Sequence, residues 1–168
     1  MKKQILFLYL FITISMSCSK EKEDSIMAGP SIVGKWKDGG TKGSITIEFL
    51  GQKATEPLDE VAKDQIVEFK SDGTIVNFST PDDEIQFTKY KTIGNQLVLT
   101  GIEGTKSFDF IFNYNVNGNT MKLTMDKELF AKNVIAISAA GIDNELSDYK
   151  EFVSFITDLK FEQTLLKQ

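Results

Sequence analysis

The sequence predicts a mainly β fold, an antiparallel up-and-down eight-stranded barrel with a two-helix insert before the last strand. One observation is the hairpin at 107–126, where apolar and polar residues alternate on both sides of Asn117-Gly118, a pair that favours a type I′ turn. A second is the series of similar strands joined by short turns, which indicates consecutive hairpins. A third is the change to helical spacing at 127–158. Eight antiparallel strands suffice to close a barrel around one small ligand.

The first residues have the form of a secretory signal peptide. Two lysines precede an apolar run at 5–16, and small residues flank Met16. This order is typical of a signal peptide, and the run is too short to cross a bilayer comfortably as a helix. We therefore assign residues 1–17 to a lipoprotein signal peptide.

Cys18 follows that segment and is the only cysteine in the chain, so neither an intrachain disulfide nor a cysteine metal cluster can form. Its position after Ser15-Met16-Ser17 resembles a bacterial lipobox, although such motifs usually carry Leu where Ser15 stands. The resemblance implies that Cys18 is acylated, for example with palmitate, and becomes the mature N-terminus. The membrane is then a partner through the acyl chains, which give stable attachment when there are two or more. The alternative is an ordinary signal peptide with a cysteine nearby.

Residues 18–30 are polar, charged and without periodicity, which predicts a flexible tether behind the lipidated N-terminus. Lys22-Glu23-Asp24 resembles the signal that sends some lipoproteins of Gram-negative bacteria to the outer face of the outer membrane. A merely solvated tether is the alternative. We expect the protein in the cell envelope, anchored to the outer membrane, and the sequence leaves open which side it faces.

Composition excludes several classes of function. The formal net charge is −5 and becomes more negative when the two lysines of the signal peptide are removed, which argues against nucleic acid as a partner. The chain contains no His and no Arg. It therefore has no imidazole for a nucleophile system or a metal site, and no guanidinium clamp for carboxylate or phosphate. We expect a non-enzyme with no catalytic residue, metal or cofactor.

Residues 31–168 read as one domain, without a second linker or an internal repeat. Its first strand begins at 31–37 and a further strand follows at 44–50. Gly39-Gly40 and Gly43 predict a bend or bulge between them. The polar stretch 52–64 is interpreted as a long loop with one helical turn.

The remaining elements follow in order. Tyr90 is out of phase with Phe87, which predicts a bulge near Thr88. Asp126 is the expected N-cap of the first helix, and Gly141 its terminating residue. The predicted strands are 65–70, 74–79, 84–92, 96–100, the two arms of the 107–126 hairpin and 159–167, and the predicted helices are 127–140 and 144–158.

Two motifs resemble the lipocalin-like families. Gly34 and Trp36 match the Gly-x-Trp that begins the first barrel strand, and Phe69 to Thr74 resembles a Phe-x-x-Asp-Gly-Thr hairpin of bacterial lipocalin-like lipoproteins. The resemblance implies that Trp36 closes the base of the barrel and that the first long loop lies across its open mouth. These families usually stack a basic residue, often Arg, over the Trp. This chain offers only a lysine, such as Lys160 or Lys167.

A set of apolar side chains on one face of the predicted strands could line a ligand cavity. These candidates are Phe69, Val76, Phe78, Phe108, Phe110, Phe112, Tyr114, Met121, Leu123 and Met125. The expected ligand is a small apolar or amphipathic molecule. The alternative is a filled core, in a structural or protein-interaction lipoprotein whose protein partner is unknown.

Two further expectations concern the surface. Asp82-Asp83-Glu84 and Asp143-Asn144-Glu145 are interpreted as turn and cap residues, because neither has the spacing of a calcium loop. Ile111 is apolar among polar neighbours on the outer face of the hairpin. We predict that it is a docking point for Phe130 or Tyr149 of the helical insert, which either covers the barrel as a lid or packs on its outer wall.

Overall fold

The computed structural model describes residues 31–79, 85–142 and 150–168, and these form one antiparallel sheet that closes on itself. Eight strands make the barrel, because the first strand pairs with the last, and one additional strand lies outside it. The predicted fold class is confirmed, including the helical insert before the last strand. The strands are β1 (Gly34–Phe49), β2 (Gln52–Pro57), β3 (Ile66–Phe69), β4 (Thr74–Ser79), β5 (Gln86–Ile93), β6 (Gln96–Glu103), β7 (Lys106–Asn117), β8 (Thr120–Asp126) and β9 (Ile156–Lys167).

The long strand β1 contains both strands predicted at the start of the domain. Its pairing with β9 shifts register between Asp38 and Thr41, so the bend predicted from the glycines is confirmed as a bulge. A side chain at Gly43 would collide with the backbone of Lys160, which explains why only glycine fits where the two strands approach. The bulge predicted near Thr88 is also confirmed, by a register shift between Phe87 and Lys89.

The prediction of a loop at 52–64 was wrong for its first half, which forms β2. A tight turn with positive φ at Leu50 (51°) and Gly51 (78°) returns the chain beside β1. Every side chain of β2 is exposed, so the strand has no apolar alternation that sequence could reveal. Backbone hydrogen bonds to the end of β1 define it instead.

The end of the barrel around Trp36, called the closed end below, is filled by side chains. Trp36 is fully buried and its Nε1 donates a hydrogen bond to the carbonyl of Ile32 at 2.7 Å. The Nζ atom of Lys167 lies 5.4 Å from the ring centroid, close enough for a cation–π interaction. Of the two lysines considered, Lys167 takes the position over the Trp.

Helix α1 (Lys127–Ala139) matches the first predicted helix. The carboxylate of Asp126 accepts a hydrogen bond from the backbone N–H of Leu129 at 2.9 Å, and Gly141 follows the helix with φ of 71°. These are the expected N-cap and terminating glycine. The helix buries the predicted residues Phe130, Val134 and Ile137.

The second predicted helix ends earlier than expected. Residues 150–152 are helical, a 3-10 turn follows at Val153–Phe155, and β9 begins at Ile156 rather than at Leu159. The strand extends backward because Ile156 pairs with Ile47, on the part of β1 that projects beyond the barrel.

Several predictions lie outside the described residues: the signal peptide, the lipidation of Cys18, the tether, both acidic clusters and the part of the second helix that contains Tyr149. None of the described helices is long and apolar enough to cross a membrane.

Candidate functional site

A cavity of about 710 Å³ lies inside the barrel, at the end opposite to Trp36, which we call the cavity end. The strand register places it there: Trp36 is level with Lys167, whereas the lining residues Leu159 and Phe161 lie at the other end of β9. Exposed side chains such as Glu60 and Lys63 are part of the lining. The cavity therefore reaches solvent.

Phenylalanine rings form a continuous aromatic band on the cavity wall. Neighbouring ring centroids along the band are separated by 5.5, 5.8, 5.1 and 6.0 Å, in tilted or edge-on arrangements that are favourable for aromatic pairs. The rings come from four different strands, which brings together residues distant in sequence. In order, the band consists of Phe78, Phe87, Phe110, Phe112 and Phe161.

Another part of the cavity wall is polar. Thr41 and Gln163 face each other across the β1–β9 pairing, and both are on the wall together with Asp38 and Gln65. Inward-facing polar residues are uncommon in the interior of a small barrel, where burial without a hydrogen-bond partner is unfavourable. The cavity is therefore amphipathic, with an aromatic wall and a polar wall.

The chain after β2, called the 58–65 segment below, closes the wall between β1 and β3. Thr41 and Glu60 exchange two backbone hydrogen bonds of 3.0 Å. The buried carboxylate of Asp38 accepts hydrogen bonds from the backbone N–H groups of Gly40 (3.0 Å) and Lys63 (2.7 Å). These bonds fix the segment against β1, where the lipocalin-like resemblance implied a loop across the mouth.

Helix α1 closes a second opening, where β7 separates from β8. The two strands pair only from Asn113 onward. Beyond that point the amide of Asn133 takes the place of a strand: its Oδ1 accepts from Ile111 N–H and its Nδ2 donates to Ile111 C=O, both at 2.9 Å. Helix α1 thus docks at Ile111, but through the hydrogen bonds between Asn133 and the Ile111 backbone. Of the two predicted partners of Ile111, Phe130 lies on the cavity wall and Tyr149 lies outside the described residues.

The structure brings some of the predicted lining residues together at the cavity and places others elsewhere. Those on the cavity wall are Phe78, Phe110, Phe112 and Met125. Those buried in the barrel away from it are Phe69, Phe108, Tyr114, Met121 and Leu123. Val76 is only half-buried, because Asn77 adopts a positive φ of 59° and the β4–β5 register shifts there.

The predicted set omitted several residues of the wall. Phe87, Phe161 and Gln163 lie on the inward faces of β5 and β9, and the alternation Phe161, Gln163, Leu165 could have revealed two of them. Asn133 gave no comparable signal. Asn133 is a polar residue on an apolar helix face, and its role as a partner of β7 becomes clear only when the separation of β7 from β8 is known.

Among the described residues, the ionisable groups with perturbed pKa values are not part of the cavity wall. An ion pair of 2.9 Å with Lys37, through hydrogen bonding and charge, lowers the pKa of Asp64. Hydrogen bonds from Thr74 lower the pKa of Asp72. Burial, and then the charge of Asp72, raise the pKa of the Tyr90 phenol near the closed end.

Within the part of the chain that the structure describes, no group of His, Cys, Asp and Glu side chains could hold a metal ion. Searches against protein-family models, curated proteins and solved structures found no match to this chain. Arguments about function therefore rest on the site itself.

Proposed function

We propose that this protein is a lipid-anchored lipoprotein of the cell envelope that binds a small apolar or amphipathic molecule inside its barrel. The observation that carries the proposal is the cavity of about 710 Å³ with its aromatic band. Ligand pockets in proteins commonly measure about 300–1,000 Å³ and have mainly apolar walls with a few polar groups. Water hydrogen-bonds poorly to phenylalanine rings, so an apolar occupant displaces it favourably.

The proposed activity is binding and not catalysis. The sequence has no His and no Arg, which removes the usual proton-transfer partner of a nucleophile and the usual clamp for phosphate. The polar groups of the described residues on the wall are amides, a hydroxyl, carboxylates and the ammonium of Lys63, which suit recognition of a ligand by hydrogen bonds.

Titration with N-phenylnaphthylamine, a neutral apolar fluorophore, tests the binding proposal. The protein would be the chain from residue 18 onward with Cys18→Ser, which needs no detergent and contains every described residue. We expect enhanced fluorescence with saturable binding. Leu159 lies on the cavity wall, so Leu159→Trp should fill part of the cavity and weaken binding by about tenfold or more.

Leu166→Trp is the matched control, because Leu166 is on the same strand but exposed at 43%. It should leave fluorophore binding unchanged. If Leu159→Trp, Leu166→Trp and the parent all bind the fluorophore equally well, the binding site does not lie inside the barrel. Native mass spectrometry of freshly purified protein is a second measurement, and we expect a co-purifying small molecule that Leu159→Trp excludes.

The lipid anchor is tested independently of the cavity. Cys18→Ala should move the protein from the membrane fraction to the soluble fraction and abolish labelling by a palmitate analogue. If the variant stays in the membrane fraction, the lipobox interpretation is wrong. In a separate experiment, proteolysis of intact cells would distinguish a domain exposed on the cell surface from one that faces inward.

A second candidate function is a protein-interaction lipoprotein, and an exposed apolar cluster favours it. At the tip of the β1–β2 hairpin, Phe49 packs edge-on against Phe155 with a centroid distance of 5.4 Å. Leu50 beside them is 88% exposed. This candidate predicts that Leu50→Asp removes a cross-linked partner in cells while fluorophore binding stays intact.

A further inference from the structure

Gln163 is placed to recognise the polar head of a ligand in the proposed cavity. On β9, Leu159, Phe161 and Gln163 alternate toward the interior and all contribute to the cavity wall, and Leu165 continues the same face into the closed end. Gln163 is the polar member of an otherwise apolar face. It lies between the aromatic band and the filled closed end.

The amide of Gln163 makes no hydrogen bond to any residue in the described ranges, and neither does the hydroxyl of Thr41 opposite it. Gln65, the other glutamine on the wall, differs because its Nε2 donates to the carbonyl of Asn77 at 2.9 Å. Gln163 and Thr41 are both half-buried. They therefore present a donor and acceptor pair to whatever occupies the cavity.

The charges on the wall restrict the head group. Among the described residues, three carboxylates contribute to the lining, those of Asp38, Asp59 and Glu60, against the single ammonium of Lys63. That ammonium already lies 3.6 Å from Glu60. An anionic head group would be repelled by the excess negative charge and would find no guanidinium, since the chain contains no Arg.

We propose that the cavity selects amphipathic molecules with an uncharged hydrogen-bonding head, such as a hydroxyl or an amide, and that Gln163 is the residue that binds this head. The apolar body of the ligand lies along the aromatic band. The inference rests on the proposed function and adds the chemical class of the ligand to it.

Competition between octanol and octanoate for bound N-phenylnaphthylamine tests the head-group class, because the two molecules share one chain length. We expect octanol to displace the fluorophore at concentrations about tenfold lower than octanoate near neutral pH. Equal or tighter binding of octanoate would overturn the proposed class. Failure of the fluorophore to bind at all would instead overturn the proposed function, so the two failures are distinguishable.

Gln163→Met tests the residue assignment, since Met has a similar length and cannot donate a hydrogen bond. Octanol should bind about five- to tenfold more weakly, while the affinity for the fluorophore stays within about twofold, since an apolar probe gains little from the amide. Gln163→Glu, nearly identical in shape, should widen the preference for octanol over octanoate. Gln86→Met is the matched control, because Gln86 is exposed on the outer face beside Phe87.

The melting temperature of each variant shows whether the variant is as stably folded as the parent, which separates a loss of ligand recognition from a loss of folding. If Gln163→Met lowers the affinities for octanol and the fluorophore equally, Gln163 is structural and the assignment is wrong. If Gln163→Met changes neither affinity, the head lies elsewhere and the assignment is again wrong. Only a loss confined to octanol, absent in Gln86→Met, supports it.

Discussion

The closed end and the cavity end of the barrel are built from the same strands but are stabilised differently. At the closed end, fully buried side chains such as Trp36, Phe69 and Leu165 fill the interior. At the cavity end, hydrogen bonds between backbone groups and the side chains of Asp38 and Asn133 complete the wall: Asp38 accepts from Lys63 N–H, and Asn133 both accepts from and donates to Ile111. Side chains fill the interior at the closed end, whereas at the cavity end side chain to backbone hydrogen bonds complete a wall around a space.

The difference explains why space remains at only one end. An eight-stranded barrel is just filled by its own side chains when every strand pairs with its neighbours. At the cavity end, β7 separates from β8, and β1 separates from β3. Helix α1 and the 58–65 segment take the missing places in the wall. The apolar side chains of the wall do not fill the interior there, and the cavity remains between them.

Two leucines on β9 allow the sharpest comparison of the two ends. Leu165→Ala at the closed end should destabilise the protein by about 4 kcal/mol, since it leaves an empty space among rigidly packed neighbours. Leu159→Ala at the cavity wall should cost only about 2 kcal/mol, because it enlarges an existing space and loses mainly the transfer free energy of the removed groups. Urea unfolding of both variants measures the difference.

Equal losses from the two substitutions would contradict the proposed contrast between a filled and an open end. The exposed Leu166 provides the control, since Leu166→Ala should change the free energy of unfolding by less than about 0.5 kcal/mol. Fluorophore binding adds a second readout. It should be retained by Leu159→Ala, in which the cavity is larger.

The sequence predicted the closed end and the barrel better than the cavity end, for a physical reason. Alternation predicts which side of a strand faces inward, and this was correct for Phe110 and Tyr114 alike. Alternation carries no information about distance across the barrel. Phe110 lines the cavity and Tyr114 does not, although both occupy one face of β7.

The remaining omissions also come from long-range structure. Strand β2 has no apolar face, so only its pairing with β1 identifies it. Asn133 is informative only beside the unpaired part of β7. Local patterns in the sequence predict individual strands and helices. The strand β2 and the role of Asn133 depend instead on contacts between parts of the chain that are distant in sequence.

Asn133 provides the next largest expected effect, at the cavity end. Asn133→Leu should destabilise the protein by about 2–3 kcal/mol, because the N–H and C=O of Ile111 lose their partners. Hydrogen exchange should accelerate at Ile111 more than at Phe69 in the closed end. Asn115→Leu on the exposed outer face of β7 is the matched control and should have little effect.

Asn133→Asp separates hydrogen bonding from packing, because its shape is nearly unchanged. An ionised carboxylate accepts from Ile111 N–H but repels Ile111 C=O, whereas a protonated carboxyl donates to it. The variant should therefore be closer in stability to the parent at about pH 4 than at about pH 7. A loss of stability independent of pH would show that packing of the helix, and not this pair of bonds, closes the wall.

Tyr90 gives the smallest effect and tests the closed end. Its ring packs edge-on against Phe69 with a centroid distance of 5.1 Å, and its hydroxyl donates to the carbonyl of Lys70 at 2.6 Å. Tyr90→Phe keeps the ring contact and removes one hydrogen bond, so it should cost about 1 kcal/mol. Ligand binding at the far end of the barrel should be unchanged.

The pH dependence of this variant follows from the raised pKa of Tyr90. Because the folded state favours the neutral phenol, its stabilisation is fully present below the unfolded-state pKa of about 10 and is lost as the pH rises through the folded-state pKa. The difference in unfolding free energy between the parent and Tyr90→Phe should thus be constant near neutral pH and shrink in alkaline solution. A difference that stays constant through the alkaline range would show that the phenol is as well solvated in the folded protein as in the unfolded chain. Tyr90 would then lie outside the tightly packed interior of the closed end.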